Sequence, residues 1–124
     1  MPEVSVETPI PDFTADVVII GAGAAGLTAA LAAAENGSEV VVLERDASPS
    51  GSTSMSSGFV PAPGTRFQHA IGVTDDTAEL FFSDLKAKTY GQLDERLARL
   101  AAENIAPAME WLADRCGVEW HVLD

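Results

Sequence analysis

The chain has 124 residues, which fits one small domain or part of a larger one. Nineteen acidic against seven basic residues give a net charge of −12, which excludes nucleic acid and anionic membrane surfaces as expected partners. The single cysteine excludes an internal disulfide. We expect a cytoplasmic protein, because the chain shows no basic, apolar leader and no apolar run long enough to span a bilayer.

The first half of the chain predicts a strand, a glycine turn, a helix and a second strand. Residues 1–14 hold three prolines and predict an extended lead-in. The β-branched run over residues 16–20 is typical of a parallel strand buried on both faces, as is the run over residues 39–43. The turn Gly21–Gly26 and an alanine-rich helix over residues 27–36 separate them. This order predicts the βαβ unit of a doubly wound parallel sheet of the Rossmann type.

The second half predicts a long loop and two helices. Residues 47–64 are rich in serine, glycine and proline, and a loop of this length in a compact domain usually binds a ligand. Residues 74–76 (Thr-Asp-Asp) predict a helix start rather than a metal site, because nothing supplies further ligands. The helix body is predicted over Ala78–Lys88. A second helix is predicted over residues 93–116, with a kink or a restart at Pro107.

Apolar residues recur every three or four positions along that second helix, so one stripe is expected to face inward. Cys116 ends the stripe and is expected to be a buried core thiol. Residues 118–123 predict the start of another strand. The stripe consists of Leu93, Leu97, Leu100, Ala101, Ile105, Ala108, Leu112 and Cys116.

The glycine turn has the spacing of a dinucleotide-binding site. Gly21 permits a tight turn out of the strand, Gly23 lets a pyrophosphate approach the backbone, and Gly26 lets the helix pack closely on the strand. Ala24 and Ala25 have small side chains, which leave room for the pyrophosphate at the backbone. Backbone N–H groups and the positive end of the helix dipole would then meet the phosphate charge.

Glu44 ends the second strand, 18 positions after Gly26. A carboxylate there can accept hydrogen bonds from both hydroxyls of an adenosine ribose, and it would repel the 2′-phosphate of NADP. Arg45 is predicted either to contact the adenine or a phosphate or to lie in solvent, and the sequence leaves both open. The alternative to dinucleotide binding is an ordinary strand–helix turn followed by a surface glutamate.

The βαβ unit alone does not distinguish FAD from NAD, and the loop that follows it favours FAD through a resemblance to a known family. Ser50-Gly51-Ser52-Thr53, followed by Ser57-Gly58, resembles the GG(S/N)T…(S/A)GG stretch of the fumarate reductase and succinate dehydrogenase flavoprotein family. The resemblance is to its non-covalent branch, which includes soluble fumarate reductases and 3-ketosteroid dehydrogenases. The stretches GVTDDTAELFFSDL and MEWLADRCGVEW are also similar to the family, so the resemblance runs over residues 16–120.

The resemblance implies FAD as the cofactor and distributes the contacts along it. It implies that Ala25 and Glu44 lie on the adenosine side. It implies that Ser52-Thr53 lies at the pyrophosphate and ribityl side, and that Ser57-Gly58 lies nearer the flavin. Serine hydroxyls and loop N–H groups can donate to phosphate and flavin oxygens. If the loop does not bind a cofactor, the same composition is that of a serine- and glycine-rich linker.

The loop departs from the family pattern in two places, because Ser50 and Phe59 stand where the family has glycine. Membrane-bound relatives attach FAD through a histidine just before the threonine. Ser52 occupies that position here, so the resemblance implies non-covalent FAD.

The resemblance implies a flavin-dependent oxidoreductase that acts on a carbon–carbon bond next to a carbonyl or carboxylate. Residues 15–124 would be the N-terminal part of its FAD-binding domain, and the family's capping domain and later segments are not recognisable here. We therefore expect a fragment or one part of a split enzyme, completed by a downstream segment or a second chain, and assign no catalytic residue. The alternative is a non-catalytic nucleotide-binding or interaction module that retains the βαβ unit.

Overall fold

The structure of the protein is a computed structural model that describes residues 14–123. The predicted lead-in lies, apart from Thr14, outside the described residues. The chain divides into two compact units, which we call unit 1 and unit 2. Unit 1 ends at Phe59 and unit 2 begins at Val60.

The described part of unit 1, residues 14–59, contains a two-stranded parallel sheet and two helices. Strand β1 is Val17–Ile20, helix α1 is Ala24–Glu35, strand β2 is Val40–Leu43 and helix α2 is Ser52–Met55. Val17 pairs with Val40 and Ile20 with Leu43, so the two strands run in the same direction. The predicted strand–helix–strand order is therefore present, as a mixed structure of helices and a short parallel sheet.

Helix α1 begins three residues earlier than predicted, because Ala24 is already helical and Gly23 is its N-cap. The helix ends at the predicted place, where Asn36 is the C-cap and Gly37 has a φ of +85°. Gly37 donates its N–H to the carbonyl of Ala34, and this turn leads the chain directly into β2.

The two faces of the sheet differ in coverage. Ile19 lies under α1, with its Cγ2 atom 3.3 Å from the position that a Cβ atom of Gly26 would take. Val18 and Ile20 point to the other face, and Ile20 is 87% exposed. The prediction that both strands are buried on both faces is therefore wrong for the described residues, because one crossover helix covers one face of a sheet.

Unit 2 contains three helices. They are α3 (Arg66–Ala70), α4 (Ala78–Lys88) and α5 (Glu95–Cys116), and α4 packs against α5. The buried apolar side chains of this unit include Phe82, Ala102 and Met109. The Arg99 guanidinium of α5 lies 4.0 Å from the centroid of the Phe82 ring of α4. Arg99 also pairs with Glu79 at 2.9 Å, which joins the two helices at their surface.

Each helix of unit 2 begins directly after a residue whose side chain caps its N-terminus. The predicted body of α4 has the observed bounds, but its N-cap is Thr77, whose hydroxyl accepts the N–H of Leu80, and not the preceding aspartates. Helix α3 was not predicted. It starts with a capping box, in which Thr65 accepts the N–H of Gln68 and the Gln68 side chain accepts the N–H of Thr65.

Helix α5 starts at Glu95, capped by Asp94, and continues through Pro107 to Cys116. Of the two predicted alternatives, a kink or a restart at the proline, the restart is therefore wrong. Ala102 and Met109 are both buried, and they lie two helical turns apart on one face, on either side of the proline. Burial of this face favours one continuous helix although the proline cannot donate a backbone hydrogen bond.

The inward face of α5 is not the predicted stripe. Leu97 and Leu100 are 54% and 59% exposed, and Cys116 is exposed rather than buried. The face that packs instead centres on Ala102 and Met109. The spacing of apolar residues was right for a helix, but the two buried positions of α5 lie outside the predicted stripe.

Residues 118–123 form no strand, which corrects the prediction for this segment. Gly117 ends α5 with a φ of +67°, and the N–H of Val118 donates to the carbonyl of Leu112. The indole N–H of Trp120 then donates to the carbonyl of Met109 at 3.0 Å. The segment is therefore held by contacts to α5 instead of by a neighbouring strand.

Tyr90 follows the C-cap of α4 with a φ of +54°, and its side chain is 92% exposed. A Cβ atom in this left-handed conformation costs about 1 kcal/mol, and an exposed ring returns little packing energy. We expect Tyr90→Gly to raise the free energy of unfolding by up to about 1 kcal/mol, measured by urea denaturation. Thr89→Gly is the control and should lower it, because the Thr89 hydroxyl donates to the carbonyl of Leu85. A less stable Tyr90→Gly protein would contradict this account.

Candidate cofactor-binding site

The glycine turn joins the end of β1 to the start of α1 with little space to spare. Gly21 has a φ of +100° and donates its N–H to the carbonyl of Leu43 at 2.7 Å. A Cβ atom on Gly26 would lie 2.0 Å from the carbonyl oxygen of Gly21. The close packing of helix on strand that was predicted for Gly26 is therefore present, and it requires glycine.

Two amides of the turn are held by side chains from the segment after β2. The N–H of Ala22 donates to Oε2 of Glu44 at 2.8 Å. The N–H of Ala24, the first residue of α1, donates to Oγ1 of Thr53 at 3.1 Å. The N-cap Gly23 has no side chain of its own to cap the helix, so Thr53 supplies this cap from 29 residues further along the chain.

Three other amides of the turn, those of Gly23, Ala25 and Gly26, have no hydrogen-bond acceptor among the residues that the structure describes. They lie at the start of a 12-residue helix, where the dipole is positive. Gly23 also leaves room, because the atom nearest to an added Cβ would be Thr53 Oγ1 at 3.4 Å. Free donors, a helix dipole and a bare backbone are what a diphosphate requires, so these residues fit an FAD pyrophosphate.

The Glu44 carboxylate lies directly beside these amides and is half-buried. Its Oε1 accepts the N–H of Asp46 at 3.0 Å, and its Oε2 accepts the N–H of Ala22. These backbone hydrogen bonds, that from Asp46 first, hold the pKa of Glu44 below its usual value. Each oxygen keeps a second lone pair, so the carboxylate can still accept hydrogen bonds from two ribose hydroxyls.

The serine-rich segment is not the uninterrupted loop that was predicted over residues 47–64, because it contains the one-turn helix α2. Gly51 is the N-cap of α2 and has a φ of +85°. The structure brings Thr53 to the turn, whereas none of the hydrogen bonds between described residues joins Ser52, Ser57 or Gly58 to it.

Arg45 does not point into the turn. Its guanidinium lies 3.3 Å from Oδ1 of Asp46, and its side chain is 91% exposed. The Arg45 side chain is therefore solvated and paired with its neighbour, and its contact with an adenine or a phosphate stays a prediction.

Sequence reasoning missed Asp46 in this region and named Ser50 only as a departure from the family pattern, so it missed the contact between them. The Ser50 hydroxyl donates to Oδ2 of Asp46 at 2.6 Å. The signal in the sequence was an acid followed four positions later by a serine, in a segment that holds many serines. Such a pattern does not single out one pair.

A family model described as an FAD binding domain matches residues 16–123. The chain belongs to this family. It is 39% identical to the urocanate reductase of Eggerthella lenta over 105 residues, which are 85% of this chain and 17% of that protein. It is 38% identical to the NADH:fumarate oxidoreductase of Klebsiella pneumoniae over 100 residues, which are 81% of this chain and 11% of that protein.

Two solved structures have a fold similar to that of this chain. A 3-ketosteroid-delta4-(5alpha)-dehydrogenase from Rhodococcus jostii RHA1 superimposes with a TM-score of 0.77 at 34% identity, over 96% of this chain and 24% of that chain. An open conformation of a flavocytochrome c3 fumarate reductase gives a TM-score of 0.75 at 34% identity, over 84% of this chain and 18% of that chain.

These comparisons confirm the family resemblance and FAD as the cofactor of the domain. The chain spans 11% and 17% of the length of the two curated relatives named above. Within residues 14–123, the structure contains no helix that is both long and apolar enough to cross a membrane. The cytoplasmic location stays a prediction.

Gly26 and Gly23 should respond differently to an added methyl group. In Gly26→Ala the new Cβ meets the backbone of Gly21, so we expect a loss of about 3 kcal/mol in the free energy of unfolding. In Gly23→Ala the Cβ reaches ordinary contact distance, so the loss should stay near 1 kcal/mol while FAD binding weakens at least about tenfold. Urea denaturation and FAD titration measure both. Equal stability losses in the two variants would refute the close packing at Gly26.

The lowered pKa of Glu44 makes a prediction for pH. A carboxyl whose pKa is lower in the folded state stabilises fully above its ordinary pKa, and this contribution is lost as the pH falls through the folded value. We expect Glu44→Gln to be less stable than wild type at pH 7, with a difference that shrinks below about pH 4. Denaturation curves from pH 7 to pH 3 measure it. A difference that stays constant with pH would show that the charge of Glu44 contributes nothing.

Proposed function

We propose that this chain is the FAD-binding portion of a flavin-dependent oxidoreductase, and that the turn Gly21–Gly26 and Glu44 hold the adenosine diphosphate half of the cofactor. One observation carries the proposal. The free amides of Gly23, Ala25 and Gly26 lie beside a carboxylate that Ala22 fixes in place. Donors for a diphosphate and an acceptor for a ribose are thus neighbours at the same end of the parallel strands, which is where dinucleotides bind in such sheets.

The rest of the cofactor is proposed to follow the segment after β2. The Thr53 hydroxyl accepts the Ala24 N–H, so its own proton is available to a phosphate oxygen, and Ser52 lies beside it in α2. Gly51 is the N-cap residue at which α2 begins. We assign Ser57-Gly58 to the flavin end by the family pattern, and exposed Arg45 to the adenosine side. Ser52 stands where covalent relatives have histidine, which supports non-covalent binding.

The proposed reaction is reduction or dehydrogenation of a carbon–carbon bond next to a carbonyl or carboxylate. The names of the relatives support it, since they include reductases of urocanate and fumarate and a 3-ketosteroid dehydrogenase. Bound FAD supplies the hydride chemistry. The residues of this chain bind and orient the cofactor, and we assign none of them to proton transfer.

We also propose that residues 15–124 are the N-terminal part of a larger FAD-binding domain with a doubly wound sheet. Within the described residues the sheet has two strands. Val18 and Ile20 leave its second face exposed, and that face is apolar. A downstream segment or a second chain that covered this face would complete the domain.

Titration of the purified 124-residue chain with FAD tests the proposal, followed by visible absorption and flavin fluorescence. We expect a bound-flavin spectrum, with all FAD released on denaturation because attachment is non-covalent. Glu44→Gln should weaken binding by about tenfold. Glu39→Gln is the matched control, since Glu39 is also a glutamate next to β2 but lies at the opposite end of the strand, and it should bind as wild type does.

Two results would change the assignment. Tight NAD binding without flavin uptake would mean that the serine-rich segment does not select FAD. Equal binding of ADP and FAD would favour the alternative function, a nucleotide-binding module without a flavin site.

A further inference from the structure

Hydrogen bonds tie the glycine turn to the segment after β2 at two points. One is the bond from the Ala22 N–H to Glu44, and the other is the bond from the Ala24 N–H to Thr53. The chain between these two points must hold a fixed shape if Glu44 and Thr53 are to reach the turn together.

Asp46 supplies that shape. Its N–H donates to Oε1 of Glu44 at 3.0 Å, and its Oδ2 accepts the Ser50 hydroxyl at 2.6 Å. Its Oδ1 accepts the Nε–H of Arg45 at 3.3 Å. The Ser50 hydroxyl first, and Arg45 second, lower the pKa of Asp46, so the side chain is an anion at neutral pH. One residue thus contacts the ribose acceptor and the loop at the same time.

Together these contacts close a ring, which we call the turn–loop ring. It passes from the turn to Glu44, on to Asp46 and Ser50, along the backbone to Thr53, and back to the turn. Each link is a hydrogen bond of 3.1 Å or less or a short stretch of chain. Its members are Ala22, Ala24, Glu44, Asp46, Ser50 and Thr53.

We propose that Asp46 and Ser50 are positioning residues for the dinucleotide. Their hydrogen bond sets the spacing between the Glu44 carboxylate and the Thr53 hydroxyl before a ligand arrives. The inference rests on the proposed function, in which Glu44 holds the ribose and Thr53 the diphosphate of one molecule. Both groups can be held at once only if the two side chains are correctly spaced. A ring that is formed in advance removes the cost of ordering the loop on binding.

Ser50 gives the inference its specificity for this chain. The family pattern has glycine at this position, and a glycine has no hydroxyl to donate to Asp46. Gly51, with a φ of +85°, then turns the backbone into α2, which carries Thr53. A serine before that flexible glycine restrains the loop at the point where its path is freest.

The test removes the Ser50 hydroxyl and reads out both the empty ring and ligand binding. Ser50→Gly and Ser50→Ala should speed amide hydrogen exchange at Ala24, measured by NMR in the ligand-free chain, and weaken binding of FAD and of ADP by about fivefold to tenfold. Ser50→Thr keeps a hydroxyl and should restore both. Ser54→Ala is the matched control, since its hydroxyl donates to the carbonyl of Gly51 within the same loop and lies outside the ring.

A double-mutant cycle shows whether Asp46 and Ser50 act through each other. If they do, Asp46→Ala should weaken binding, and adding Ser50→Ala should weaken it little further. If Ser50→Ala binds FAD as tightly as the wild-type chain and Ser54→Ala do, the inference is overturned. The proposed function would then stay intact. A wild-type chain that binds neither FAD nor ADP would overturn the proposed function, and the positioning role would fall with it.

Discussion

Backbone amides at the start of α1 set the organisation of unit 1. The first residues of any helix carry N–H groups without partners inside the helix, and each needs an acceptor from elsewhere. Here Glu44 and Thr53 accept from Ala22 and Ala24, while the amides of Gly23, Ala25 and Gly26 have no acceptor in the described chain. The protein thus satisfies some of these donors itself, and those left over are free to bind the proposed diphosphate.

The strand register explains why Glu44 is the residue that reaches the turn. Ile20 pairs with Leu43 in the parallel sheet, so the next residues, Gly21 and Glu44, leave the sheet side by side. Gly26 brings the helix against the strand end, because its missing Cβ lets the helix sit on the Gly21 carbonyl. A run of β-branched residues, a glycine and the pairing of two strands together place the carboxylate beside the helix start.

Local signals explain which parts of the structure were predictable from the sequence. The strand–turn–helix order and the bounds of α4 both depend on neighbours within a few residues. Helix α3 also has such a signal, the Thr65–Gln68 capping box, so its start was predictable although it was not predicted.

The errors about packing share a cause, because they depend on contacts between different elements of the fold. The inward face of α5 depends on what α4 presents to it, and the segment after Gly117 depends on a bond from Trp120 to Met109. The Asp46–Ser50 bond is short in sequence, yet its meaning comes from the ring that Thr53 closes 29 residues beyond Ala24. Apolar spacing and composition carry no information about such closures.

The net charge of the chain, −12, opposes the binding of a diphosphate. Arg45 is the one basic residue before residue 60, and it pairs with Asp46. The proposed recognition of the diphosphate in unit 1 therefore relies on neutral amide dipoles. Distant charges are screened over about 8 Å at physiological salt, whereas amides act at hydrogen-bond distance. The negative charge of Glu44 is offset where it lies, since two N–H groups already point at it. The carboxylate can then stay ionised for the ribose while a second anion lies close by.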